Sequence, residues 1–237
     1  MTWTYYPDTN RYRDDDTGRF ATKKDVWRWS DANILAYAEQ SRNLATGLAE
    51  GRSVGVWENE MRAHIKAEYV RQYLLGRGGR DAMTQADWGS VGGMIAEQYK
   101  HLDGFAAEIA AGELSEKMIA ARSEMYILSA REAFNRAGAH ARGITSDDLP
   151  AFPGDGSSCL GLTRCGCNWD YQKRGNTWEC YWLLNTGKAN CELCIQHASE
   201  WAPFTIEMAT KAGRFVTIEG RLVFMGGPGQ GTGRANQ

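Results

Sequence analysis

From Lys23 onward, apolar residues return every three or four positions, the spacing of one face of an α-helix. The first such stretch, Lys23 to Glu50, places Trp27, Asp31, Ile34, Ala38, Ala45 and Leu48 along or beside one stripe. Thr22 and Asp25 form a capping box at its start, and Gly51 is a stop. A second helix from Ser53 carries Trp57, Met61, Ile65, Tyr69 and Tyr73 at intervals of four and ends in Gly76-Arg77-Gly78-Gly79-Arg80. A third begins near Thr84, with Trp88, Val91, Ile95, Tyr99, Leu102, Ala106 and Ile109 in register. Gly89, Gly92 and Gly93 weaken its first turns and suggest close packing against a neighbour. The fourth runs without a break from Ser115 to about His140, with Met118, Ala121, Met125 and Leu128 on one stripe and Ile119, Tyr126, Ala130 and Phe134 on an adjacent one. Short connections between four such segments predict an antiparallel helical domain over 23–143.

The period changes after the Pro-, Gly-, Asp- and Ser-rich stretch Gly143 to Ser158, through which no helix continues. Asn168 to Leu184 alternates aromatic and polar residues about Lys173-Arg174-Gly175-Asn176, a hairpin whose core is Trp169, Tyr171, Trp178, Tyr181 and Trp182. Cys191 to Trp201 reads as a short helix, and Arg214 to Met225 as a second hairpin about Glu219-Gly220. At the other end, Asn10 to Thr22 predicts a small hairpin turning at Asp15-Asp16-Thr17-Gly18. The expected class is therefore α+β: an arm (1–22), a helical domain (23–143), a small cysteine-rich, hairpin-rich domain (144–225) and a glycine-rich tail (226–237).

A net charge of -2 over 237 residues gives no global basic field for nucleic acid or a membrane surface. No run reaches the roughly 18 apolar residues of a membrane span. The first twenty residues lack the apolar core of a secretory signal, so a reducing cytosolic setting is expected. His64 and His101 stand apart from any cysteine and read as structural, and His140 suits a helix C-terminus as a partial positive charge. Neither glycine-rich segment carries the lysine of a nucleotide loop. Asp14, Asp15 and Asp16 read as a solvated turn, since a hard-cation site needs oxygens from more than one run.

All six cysteines, Cys159, Cys165, Cys167, Cys180, Cys191 and Cys194, fall within 36 residues. Cys165-Gly-Cys167 and the Cys-x2-Cys knuckle Cys191/Cys194 are two thiol pairs separated by a hairpin, the pattern of a structural zinc site with four soft ligands. Cys159 competes as a fifth ligand and His197 as another, while Cys180 reads as a small buried apolar residue. Unliganded structural thiols and disulfide or redox chemistry are the alternatives, and a cysteine nucleophile with a distant histidine stays open. The deaminase pair H-x-E with P-C-x2-C and the protease motif H-E-x-x-H are both absent. A zinc-ribbon nucleic-acid-binding module using Arg164, Lys173, Arg174 and Lys188 is the second functional reading.

The segment Ile-Thr-Ser-Asp-Asp-Leu-Pro-Ala-Phe-Pro-Gly-Asp-Gly-Ser-Ser-Cys from Ile144, followed by Cys-Gly-Cys-Asn-Trp, Trp-Glu-Cys-Tyr-Trp-Leu-Leu and Cys-Glu-Leu-Cys-Ile-Gln-His-Ala-Ser-Glu-Trp-Ala-Pro-Phe, resembles the C-terminal part of tailed-bacteriophage minor head (head morphogenesis) proteins. The matching positions are Leu149, Pro150, Pro153, Gly154, Asp155, Gly156, Cys159, Cys165, Cys167, Trp169, Cys191 and Cys194; the Cys159–Cys165 spacer is long and Cys180 is an addition. The resemblance implies a structural, non-enzymatic minor capsid protein, made in the host cytoplasm and carried in the virion. Its implied partners are portal, major capsid or scaffold subunits, with a packaged-DNA contact as a further option and no membrane.

Overall fold

The computed structural model describes residues 3–6, 11–14, 17–154, 166–187, 189–208, 214–218 and 221–225. A three-stranded antiparallel sheet, β1 (Trp3–Tyr6), β2 (Arg11–Asp14) and β3 (Phe20–Ala21), leads into helices α1 (Lys23–Ala49), α2 (Val54–Arg77), α3 (Gln85–Ala110), α4 (Glu116–Leu128) and α5 (Arg131–His140). Then come β4 (Asn168–Arg174), β5 (Thr177–Leu183), α6 (Glu192–Glu200), β6 (Phe204–Glu207), β7 (Arg214–Ile218) and β8 (Arg221–Met225). The five later strands form one antiparallel sheet in sequence order. The fold is thus mixed helix and sheet, with α1 to α5 preceding the larger sheet and α6 between its strands β5 and β6.

The helix starts follow from side chains that satisfy exposed backbone donors. Thr22 with Asp25 and Thr84 with Asp87 form complete capping boxes, while Ser53 and Ser115 each accept one backbone N–H. Gly78 closes α2 in the left-handed region at φ 93°, which strains residues carrying a Cβ. Contacts along neighbouring helices run in opposite order. Ser30 meets Gln72 and Ser41 meets His64; Tyr73 meets Asp87 and Arg62 meets Asp103; Phe105 meets Tyr126 and Glu108 meets Arg122. The helical part is therefore an up-down-up-down bundle, with α4 and α5 together forming its fourth member.

The four-residue stripe on α2 is the axis of the bundle core, since Trp57, Met61, Ile65, Tyr69 and Tyr73 are all at most 1% exposed. On α1 the buried line is Val26, Ser30, Ile34, Ala38, Ser41 and Ala45, so Trp27, Asp31 and Leu48 flank it. Two expectations fail here. The fourth helix is not continuous: Ser129 Oγ donates to the Tyr126 carbonyl and meets Tyr69 OH at 2.7 Å, and the chain tightens through i→i+3 bonds before α5 begins. Gly89, Gly92 and Gly93 are not close-packing positions, because a Cβ at any of them would meet nothing within 4 Å. The close approach lies at Gly76, where a Cβ would stand 2.3 Å from the Phe134 carbonyl oxygen on α5.

His140 also differs from its sequence reading as a helix-terminal charge. Its Nδ1 lies 2.7 Å from Tyr73 OH and 3.5 Å from Asp87, itself held by Thr84 and Arg77. Burial lowers the His140 pKa below 6.5 despite the neighbouring Asp87, so the neutral ring is favoured. His64 faces Ser41 and the edge of Tyr37, while His101 is exposed beside Glu97.

Helices and sheet share a seam. Lys23 Nζ donates to Asp170 Oδ1 and to the Tyr171 carbonyl, each at 2.6 Å. Asn135 accepts the Trp169 N–H at 3.3 Å, and the Arg142 carbonyl accepts Trp178 Nε1 at 3.1 Å. Helical pattern ends at His140, yet burial continues: Ala139, Ile144, Leu149, Ala151 and Phe152 belong to the same core as the sheet tryptophans. Among the described residues, no helix is long and apolar enough to cross a membrane.

Candidate metal centre

The predicted β4–β5 hairpin forms with a two-residue turn at Gly175-Asn176, Gly175 taking φ 59°. Alternation along β5 puts Trp178, Cys180 and Trp182 inward and Glu179 and Tyr181 outward. Tyr181 therefore leaves the predicted core and its hydroxyl donates to Glu179 at 2.9 Å. Cys180 takes the core position instead, fully buried, and burial pushes its thiol pKa up to about 12. That thiol is a poor nucleophile and fits the role of a small apolar residue.

Of the predicted ligands, Cys167, Cys191 and Cys194 all join the sheet core. Cys191 is the residue capping α6, its side chain makes no capping hydrogen bond, and Cys194 lies one turn into the helix. Thiolates at a helix N-terminus are favoured by the backbone dipole. No disulfide joins Cys167, Cys180, Cys191 and Cys194 to one another. Cys159 and Cys165 lie outside the described residues, and so do Arg164 and Lys188. Among the described residues, no group of three or more His, Cys, Asp or Glu side chains is arranged to hold a metal. The thiols present are soft donors of the kind that zinc takes.

His197 is placed by aromatic stacking. Its ring lies 3.9 Å from that of Trp201 at 9° between planes, with Trp182 edge-on at 5.2 Å and Trp169 stacked on the far side of the cluster against Trp201 at 5.8 Å. Four rings thus clamp α6 onto the sheet. Trp201 follows His197 at helical spacing, so this pair was within reach of the sequence pattern.

A second device was not legible at all. The Asn190 carboxamide is bonded twice to Asn185, accepting its N–H at 3.1 Å and donating to its carbonyl at 2.9 Å. The same Oδ1 stands 3.7 Å from Cys167 Sγ, and Asn185 Nδ2 donates to the Gly166 carbonyl at 3.3 Å. A Cβ on Gly166 would sit 1.9 Å from that amide nitrogen, which explains the glycine between the two cysteines. These bonds tie Gly166 and Cys167 to the loop entering α6. Of the basic residues considered for nucleic acid, Lys173 is exposed and Arg174 is paired with Glu179 at 3.4 Å.

Compared with known proteins, the chain matches no family model, no curated protein and no solved structure.

Proposed function

We propose that this chain is a structural component of a tailed-phage head, a minor capsid protein acting near the portal during assembly, whose cysteine-rich part is held by a structural zinc. The observation that supports the reading is the use made of the segment carrying the resemblance. Leu149, Ala151 and Phe152 are buried against the sheet, and the Ala151 carbonyl accepts Trp169 Nε1 at 2.9 Å. The motif thus serves as cement between helices and sheet, as expected of a subunit that must present fixed faces to its neighbours. A zinc held by thiolates would add folding free energy to the cysteine-rich part. Its ligands are drawn from Cys159, Cys165, Cys167, Cys191 and Cys194, with His197 as the nitrogen alternative.

Removing the coding sequence from the phage that carries it should abolish complete heads. Supplying the wild-type chain should restore them; supplying a chain with both Cys191→Ser and Cys194→Ser should not. Normal, infectious particles in the absence of the chain would end the proposal.

A further inference from the structure

A trough between α1 and α2 takes no part in the function proposed above. Its volume is about 610 Å³, inside the roughly 300–1,000 Å³ range of small-molecule sites. We infer that this trough binds a free single-chain carboxylate, with the apolar tail lying between the two helices and the carboxylate paired with Arg80.

The space exists because short residues border it. Ala32 on α1 and Ala67 on α2 are exposed alanines that fill little of the gap, while Trp29, Val70 and Leu74 give it apolar walls. On α2 the walls run from Ala67 to Leu75, about 12 Å of helix and the span of an extended medium-chain tail.

The two ends differ. At one, Arg71 Nη2 donates to Tyr37 OH at 2.8 Å with its guanidinium 4.3 Å from that ring, and Nη1 donates to buried Glu68 at 3.0 Å. Arg71 is thus compensated by a carboxylate and closes the trough against Tyr37. The other end is built by the Gly-Arg-Gly-Gly-Arg stretch at the end of α2. Gly78 and Gly79 take φ 93° and 108°, and their N–H groups both return to the Leu74 carbonyl, at 3.0 and 2.8 Å. This left-handed turn, which glycine adopts without strain, brings Arg80 to the mouth of the trough. Arg80 is exposed, its guanidinium 5.6 Å from the Trp88 ring, and among the described residues no carboxylate pairs with it.

The lining decides the ligand class. Among the described residues its charged members are two arginines, with no carboxylate. An organic cation would meet only repulsion, and a sugar would leave hydroxyl groups against Trp29, Val70 and Leu74 without partners. A carboxylate gains a charge-assisted bond to Arg80, and an apolar tail takes the walls out of water. A recess of this size takes one chain, whereas a bilayer surface reaches only the arginine at its mouth.

The test titrates sodium decanoate, below its micelle concentration, into full-length wild type, Ala32→Trp, Arg80→Gln and Met118→Ser, followed by calorimetry. Ala32 and Arg80 are exposed, so the first two variants should melt close to the wild type. One decanoate should bind per chain, and octanoate, two methylenes shorter, about four- to fifteenfold more weakly. Ala32→Trp should abolish binding and Arg80→Gln should weaken it about tenfold. Met118→Ser, at an exposed apolar residue of α4, should leave it unchanged, and decyltrimethylammonium should not bind. Undiminished binding to Ala32→Trp, or equal binding of the cation, overturns the proposal. Absence of decanoate binding also overturns it, whether the trough then proves to hold a second copy, as a dimer that Ala32→Trp dissociates, or to dock on phosphatidylglycerol vesicles. A measurement without substitution guards against misfolding: decanoate should shift the amide signals of Ala32, Val70 and Arg80 in the wild type, and shifts confined to other elements would contradict the site.

Discussion

Replacing glycine by alanine inside a helix should have opposite signs at two places in this bundle. Alanine is favoured over glycine in a helix by about 1 kcal/mol. At Gly92 and Gly104 a Cβ enters open space, so Gly92→Ala and Gly104→Ala should each stabilise by about 0.5–1 kcal/mol. At Gly76 the added carbon would lie 2.3 Å from the Phe134 carbonyl oxygen, 3.1 Å from its carbon and 3.0 Å from the Ala137 Cβ. Two of those three atoms are main chain, so no rotamer change makes room. Helices α2 and α5 must part by about an ångström to reach normal contact, loosening the packing around buried Tyr73 and Ala137. Overpacking of this kind costs about 1–3 kcal/mol, and more where backbone is involved, leaving Gly76→Ala about 1–2 kcal/mol less stable after the propensity gain. At about 2–4 °C per kcal/mol for a chain of this size, Gly76→Ala should melt several degrees lower and Gly92→Ala slightly higher. Urea unfolding followed by far-ultraviolet circular dichroism reads both. If Gly76→Ala is as stable as Gly92→Ala, the described α2–α5 approach is wrong.

Three further outcomes are expected. The double Cys191→Ser, Cys194→Ser protein should carry no zinc and lose its near-ultraviolet tryptophan signal while keeping most of its helical ellipticity; retention of both zinc and that signal would remove the metal from the account. His140, facing Asp87, Tyr73, Arg77 and Arg136, has its pKa held below 6.5 by burial, so the unfolded chain binds the proton more tightly. Stability from the neutral ring is complete above 6.5 and is lost as pH falls through that value toward the lowered native pKa; His140→Gln should shrink the drop in urea midpoint between about pH 7.5 and about pH 5.5, and an undiminished drop would count against it. Lys23→Ala removes the two bonds to Asp170 and Tyr171 and should cost about 1–3 kcal/mol, seen as faster amide exchange in both α1 and β4; acceleration confined to α1 would show that the seam does not couple them.

The helices were readable because their signals are local. Four-residue spacing on α2 and the threonine–aspartate boxes at Thr22 and Thr84 are decided within a turn or two of chain. The break at Ser129 was not readable, since the apolar spacing runs on through it; there the serine hydroxyl lies 2.7 Å from Tyr69 OH, 60 residues away in sequence. Both later hairpins and the β2–β3 hairpin followed from alternation and turn residues, whereas β1 and β6 are four-residue strands whose partners alone define them. The turn residues Asp15, Asp16, Glu219 and Gly220 and the tail 226–237 lie outside the described residues. Proline and glycine after Gly143 marked correctly where helix ends, but composition says nothing of burial, and Ile144, Leu149, Ala151 and Phe152 join the sheet core. At the cysteines, spacing led to the expectation of a zinc site, and of its predicted ligands Cys167, Cys191 and Cys194 join the sheet core. The clamp that orients Cys167 uses Asn185 and Asn190, which look like any loop asparagines until their amides are seen paired.

The central claim, a head-resident structural subunit, is tested most directly by quantitative mass spectrometry of purified particles, combined with cross-linking. The chain should be present in intact heads at low copy and should cross-link to portal or neighbouring head subunits. Its absence from purified heads, with the protein found only in the soluble fraction of the infected cell, would contradict the account.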